Sequence, residues 1–135
     1  MNPVLVDTGP LVAILSPNDQ YHDVCVQALR TMPAPLLTCW PVLTETAWLL
    51  KFDPRAVEKL LRSAGTLYRT LPLDDEASAE IAAILKQYRK LRPQLADAAL
   101  VHLARRKRIE TVFTLDQRDF RVYRPRPNLA FNIVP

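Results

Sequence analysis

The sequence predicts a three-layer α/β/α sandwich around a parallel sheet of four or five strands, and three observations carry that prediction. Short, almost wholly apolar runs recur along the chain, and helix-periodic segments separate them. Strands of that composition belong in a sheet covered on both faces, with helices returning the chain between parallel neighbours. The 135 residues, 49% hydrophobic and 24% charged, are the amount and kind of chain that one globular core needs. No internal repeat, low-complexity stretch or linker divides residues 1–135, so they are read as a single domain.

The elements follow in order. PVLVD (residues 3–7) is an apolar run ending in an acid, and TGPLVAIL follows it with helical rhythm behind a Thr and a Pro. Tyr21, Val24, Cys25, Ala28, Leu29 and Met32 share one face of a second helix, which ends before Pro33 and Pro35. LLTC (36–39) reads as the second strand, and a helix from Pro41 reaches to around Phe52. Another helix starts after Pro54 with a stripe of Ala56, Val57, Leu60, Leu61 and Ala64, and YRTLPL (68–73) is the third strand. Asp75 opens a long helix with Ala77, Ile81, Ile84, Leu85 and Tyr88 on its core face. Pro93 separates it from a helix at 96–107. TVFTL (111–115) is the fourth strand, and residues 130–134 form a fifth.

Several classes are disfavoured at this level. No apolar run reaches the roughly 18 residues of a membrane span, and the opening MNPVLVDTG lacks the basic start and cleavage site of a signal peptide, so a cytoplasmic protein with no membrane partner is expected. Cys25 and Cys39 form neither a CxxC pair nor half of a zinc site, and are expected as reduced core residues. Neither Gly9 nor Gly65 lies in a phosphate-binding loop. The formal charge of +4 is unevenly spread: residues 1–67 carry five basic and six acidic side chains, and residues 68–135 carry thirteen and eight. That imbalance suits a polyanionic partner.

The acids are the informative residues. Ligands of open parallel sheets bind beyond the C-terminal strand ends, and Asp7 and Asp116 end the first and fourth strands, with Asp119 following on a short turn or helix. Helix N-capping accounts equally well for each of these taken singly. Glu45 has Val42, Trp48, Leu49 and Phe52 as helical neighbours, and Asp97 has Leu100, Val101 and Ala104, so each interrupts an apolar stripe. A buried carboxylate needs a partner, and the alternative to a functional site is an ion pair with a basic side chain. If Asp7, Glu45, Asp97 and Asp116 converge, their mutual repulsion is best relieved by a hard cation such as Mg²⁺ or Mn²⁺. His22 and His102 supply no catalytic pair, and no nucleophile elbow is present.

VDTG (6–9), TE (44 and 45), LADAALVHLA (95–104) and TLDQRDF (114–120), in that order, make the chain resemble the PIN-domain ribonucleases, and among them the VapC toxins of toxin–antitoxin pairs. The resemblance implies a PIN sandwich, commonly a homodimer, with an acidic quartet of Asp7, Glu45, Asp97 and Asp116 binding Mg²⁺ or Mn²⁺. Asp119 would be an auxiliary acid, and the hydroxyls of Thr8 and Thr114 would orient ligands or meet a phosphate. The activity implied is endonucleolytic cleavage of single-stranded RNA by in-line attack of water, leaving 5′-phosphate and 3′-hydroxyl ends, with a cognate antitoxin as protein partner. A housekeeping RNA-processing PIN nuclease would carry the same acids. A non-catalytic RNA-binding module would have no need of all four, and a haloacid-dehalogenase-like phosphatase would place a second acid where Gly9 stands.

Basic residues near the expected crevice are candidates for RNA phosphate contacts: Arg89, Lys90 and Arg92 before the Asp97 helix, with Lys86 further back, and Arg118 and Arg121 flanking Asp119. The denser run Arg105, Arg106, Lys107 and Arg108 lies about three helical turns from Asp97, and is read as surface solvation or contact with an acidic partner.

Overall fold

The computed structural model describes residues 2–135, and Met1 lies outside the described residues. Five three-residue strands form one parallel sheet: β1 (Val4–Val6), β2 (Leu36–Thr38), β3 (Tyr68–Thr70), β4 (Thr111–Phe113) and β5 (Asn132–Val134), in the spatial order β3-β2-β1-β4-β5. The connections are α1 (Thr8–Leu15) and α2 (His22–Leu29), then α3 (Trp40–Leu49) and α4 (Pro54–Arg62), then α5 (Asp75–Gln87), a 3₁₀ turn at Arg89–Leu91 and α6 (Leu95–Lys107), and finally α7 (Gln117–Phe120). The first two crossovers step one way across the sheet and the third steps back past β1. With right-handed crossovers the helices therefore fall on opposite faces, giving the expected three layers. The same reversal makes the β1/β4 boundary the switch point of the sheet, where a crevice opens at the carboxyl ends.

The sheet is short because each strand passes at once into a helix or turn, and hydrogen bonds at these junctions extend it. Asp7 N–H donates to Phe113 O at 2.9 Å, and Thr114 N–H to Val134 O at 2.9 Å. The buried Thr38 hydroxyl donates to Val6 O at 3.0 Å, which fixes the carbonyl immediately before Asp7. Helix α6 is enclosed on every side, with Ala96 and each residue from Ala98 to Ala104 buried, so its backbone is set by the core around it rather than by a single apolar face. Both cysteines are buried and free, and burial pushes their thiols up to about 11 at Cys25 and about 12 at Cys39, as expected of inert core residues. Among the described residues no helix is long and apolar enough to cross a membrane.

Some expected helix faces are rotated. Cys25 is buried, but Tyr21 and Val24 of the same stripe are exposed, as are Leu61 and Ala64 around α4. In α3 the core face is Val42, Leu43 and Thr46 with Leu50 beyond, whereas Trp48 is 65% and Phe52 87% exposed. Apolar spacing cannot distinguish a core stripe from an exposed one when both faces of a helix carry large hydrophobics. Arg105 is another correction: its guanidinium turns inward, donating to Arg124 O (3.1 Å), Gln87 Oε1 (3.2 Å) and the Tyr88 hydroxyl (3.2 Å). Arg106, Lys107 and Arg108 remain exposed as expected, Arg108 capping α6 in a left-handed conformation with φ of 55°.

Candidate active site

The crevice at the switch point is lined by Asp7, Glu45, Asp97, Asp116 and Asp119, brought together from the end of β1, from α3 and α6, from the β4–α7 turn and from α7 itself. Asp7 leaves β1 and is buried. Although it precedes α1, its side chain makes no capping hydrogen bond, so helix capping does not explain it. Its Oδ2 instead accepts the Thr114 hydroxyl at 2.8 Å, and the same Thr114 oxygen accepts Asp116 N–H at 3.0 Å. One threonine thus ties the first strand's acid to the fourth's. Asp116 does cap α7, its Oδ1 accepting Asp119 N–H at 3.1 Å.

Asp97 stands in the first turn of α6 and accepts the Tyr123 hydroxyl on Oδ2 at 3.2 Å. Neither Asp97 nor half-buried Glu45 forms an ion pair among the described residues, which removes the simplest structural alternative for both. One carboxylate oxygen from each of Asp97, Asp116 and Asp119 lies within 4.8 Å of the others. Asp119, expected as an auxiliary acid, therefore belongs to the tightest group, while Asp7 and Glu45 flank it.

Burial and crowding leave their mark on two of these acids. Burial pushes Asp7 up to about 6, with smaller upward contributions from the charges of Glu45 and Asp116; the Thr114 hydrogen bond, aided by the Thr8 backbone, restrains the rise. Asp97 is pushed up to about 7, first by burial and then by the charges of Asp7 and Asp116, with Tyr123 acting in the opposite sense and Glu45 adding a little. Tyr123 is itself raised above the ordinary phenol range by burial and by the neighbouring acids, Asp97 foremost. The Thr8 hydroxyl, also lining the crevice, is buried without a hydrogen-bond partner among the described residues. An oxygen-rich pocket with repelling carboxylates and an unsatisfied hydroxyl fits a hard divalent cation.

Two of the expected RNA-contact residues line this crevice, Arg92 and Arg118. Arg118 is 86% exposed at its side chain and donates through Nε to Asp119 Oδ1 at 3.2 Å. Arg89 and Lys90 lie on the 3₁₀ turn and Arg121 follows α7, all exposed outside the lining; Arg121 donates to Gln117 Oε1 at 3.1 Å. Lys86 lies on α5. The histidines serve elsewhere: His22 Nδ1 is 2.7 Å from Ala13 O, and buried His102 meets Glu80 at 2.8 Å. Thr38 and Tyr123 carry no signal in the sequence, whereas Gly9 is marked there as the last residue of VDTG. A Cβ at Gly9 would lie 3.3 Å from Leu115 Cβ, so the missing side chain lets the Asp116 turn approach α1.

Residues 4–124, which contain every acid of the crevice, match the family model of the PIN domain. The chain belongs to the PIN-domain family. This PIN domain is 27% identical to ribonuclease VapC26 of Mycobacterium tuberculosis (strain ATCC 25618 / H37Rv), across 98% of its own length and 100% of the relative's. Its fold is similar to that of crystalline Mycobacterium tuberculosis VapC20, described as a sarcin-ricin loop cleaving toxin. The TM-score is 0.76 at 20% identity, covering 85% of this PIN domain and 91% of that chain. The resemblance read from VDTG, TE, LADAALVHLA and TLDQRDF is thereby borne out for family and fold.

Proposed function

We propose that this PIN domain is an endoribonuclease that cuts single-stranded RNA with Mg²⁺ or Mn²⁺, and that it acts as the toxin of a toxin–antitoxin pair. The observation that carries the nuclease reading is the gathering of five carboxylates at one switch-point crevice, two of them pushed far above the ordinary aspartate range. Asp97, Asp116 and Asp119 would hold the cation, with Asp7 and Glu45 completing the charge around it and Thr8 offering a free hydroxyl. A bound Mg²⁺ or Mn²⁺ supplies a lowered pKa for the attacking water and neutralises charge developing on the phosphate. The residues themselves set the geometry: Thr114 holds Asp7 and the Asp116 turn together, and the buried strand ends keep both from shifting. Arg92 and Arg118 at the rim would meet the flanking backbone phosphates, contacts that position RNA without reading its bases.

The VapC26 relative supports the ribonuclease activity, and the toxin role with an antitoxin partner rests on the resemblance of the four motifs to the VapC toxins. A toxin held in check by an antitoxin would act in the cytoplasm, where both are made. Generic single-stranded RNA is expected to be cut in Mg²⁺ or Mn²⁺, not in EDTA, into products with 5′-phosphate ends, while p-nitrophenyl phosphate is left intact. A 2′,3′-cyclic phosphate product would contradict this chemistry. A two-fold homodimer is also expected, on the resemblance and the frequency of such dimers; light scattering at micromolar concentration checks it, and a monomer mass would refute it.

A further inference from the structure

We infer that Tyr123 is a positioning residue, its hydroxyl holding the Asp97 carboxylate in register with Asp116 and Asp119. The inference rests on the metal-nuclease reading above. Asp97 and the other two acids come from different parts of the chain, and something must fix their relative placement against mutual repulsion. The Tyr123–Asp97 hydrogen bond, at 3.2 Å, is the direct side-chain link between the α6 acid and the segment following α7.

That link is anchored. Tyr123 is fully buried, and its ring packs edge-on against Tyr88 (centroids 4.9 Å apart, planes at 76°) and Phe120 (5.0 Å, 86°), with Phe120 in turn against Phe131 (5.6 Å, 73°). Its backbone N–H donates to Asp119 O at 3.0 Å, so the residue that holds Asp97 is also tied to Asp119. Tyr88 is secured through its own hydroxyl, which accepts Arg105 Nη2 at 3.2 Å and Arg124 N–H at 3.1 Å. A phenol at the end of an immobilised ring cannot follow a carboxylate that swings toward solvent. It selects the orientation in which one Asp97 oxygen is occupied and the other is left for the cation, which is how outer partners order metal ligands.

Tyr123→Phe keeps the ring and removes only the hydroxyl. Melting curves taken across a titration of Mn²⁺ alone are expected to show the midpoint of metal stabilisation moved to about 10- to 100-fold higher concentration. RNA cleavage at limiting Mn²⁺ should fall through kcat rather than KM and recover toward wild type at saturating Mn²⁺. Tyr88→Phe, which leaves the Tyr123 hydroxyl in place, should lower the melting temperature in EDTA without moving the Mn²⁺ midpoint. An unchanged midpoint in Tyr123→Phe, equal shifts in both variants, or failure of Tyr123→Phe to fold would each overturn the inference, because the hydroxyl would then be serving the fold alone. If the wild type shows no Mn²⁺ response, the metal-nuclease reading falls and this inference with it.

Discussion

Asp97→Asn is expected to melt at a higher temperature than the wild type in EDTA, and to lose RNA cleavage. In the folded protein Asp97 titrates at about 7 against an ordinary 3.8, through burial first and then the charges of Asp7 and Asp116. Between those two values the folded state keeps a proton that the unfolded chain has released. The associated stability is fully present below the ordinary value and is lost as pH rises through the folded one. Asn has no charge to desolvate, and its side-chain carbonyl can still accept the Tyr123 hydroxyl. The stability gap between variant and wild type should therefore be small near pH 4 and widen up to about pH 7. A pKa unit corresponds to about 1.4 kcal/mol, and after discounting for solvent reaching Asp97 the gap should be on the order of 1–3 kcal/mol, or several degrees. Millimolar Mg²⁺ should raise the wild-type melting temperature and the variant's much less, since only the folded, complete site binds it. Melts across this pH range, with cleavage followed in parallel, decide the matter. A destabilised variant that still cuts RNA would remove Asp97 from the site.

Thr114→Val should be damaging despite its near-identical shape. The hydroxyl is fully buried and does two things, donating to Asp7 at 2.8 Å and accepting from Asp116 N–H at 3.0 Å. Valine leaves that N–H unpaired and strips Asp7 of the contact that restrains its upward shift. Leaving a buried polar group unsatisfied costs about 1–3 kcal/mol. With the folded pKa of Asp7 higher still, the pH window over which its ionisation erodes stability should extend above about 6. Cleavage should fall about 10- to 100-fold, the usual cost of losing a ligand's outer partner. Thr114→Ser should recover most of both losses. Urea unfolding and single-turnover cleavage measure the two effects, and a valine variant as active as the serine one would refute the assignment.

The layers and strands were legible because short apolar runs in a parallel sheet leave little else for such segments to be, and Asp7 and Asp116 were legible because acids end two of them. Asp97 was found through its apolar helical neighbours, and those are indeed core: Leu100, Val101 and Ala104 are buried. Glu45 was found by the same reasoning on weaker ground, because Trp48, Leu49 and Phe52 face outward and only Val42 of its quoted neighbours is core. Its place in the crevice comes instead from where α3 begins, directly after β2. Tyr123 was invisible because its role depends on an aromatic cluster assembled from Tyr88 just after α5, Phe120 of α7 and Phe131, and no local spacing encodes that meeting. Arg105 was misread for the same reason, a helix-terminal arginine being unremarkable until Tyr88 and the Arg124 carbonyl are placed beside it.

The Thr114 bridge to Asp7 joins residues separated by 107 positions, and it bears on when the protein becomes dangerous to RNA. During synthesis Asp7 emerges early, but Asp97, Thr114, Asp116, Asp119 and Tyr123 all belong to the final third of the chain. β1 cannot gain its β4 neighbour until that portion has left the ribosome. Closing so long a loop is an entropic cost that local helix formation does not repay, so the acids converge late in folding. A nascent chain therefore carries Asp7 and Glu45 without the other three acids of the cluster, and competence to cut RNA arrives only once residues 97–123 have emerged and folded.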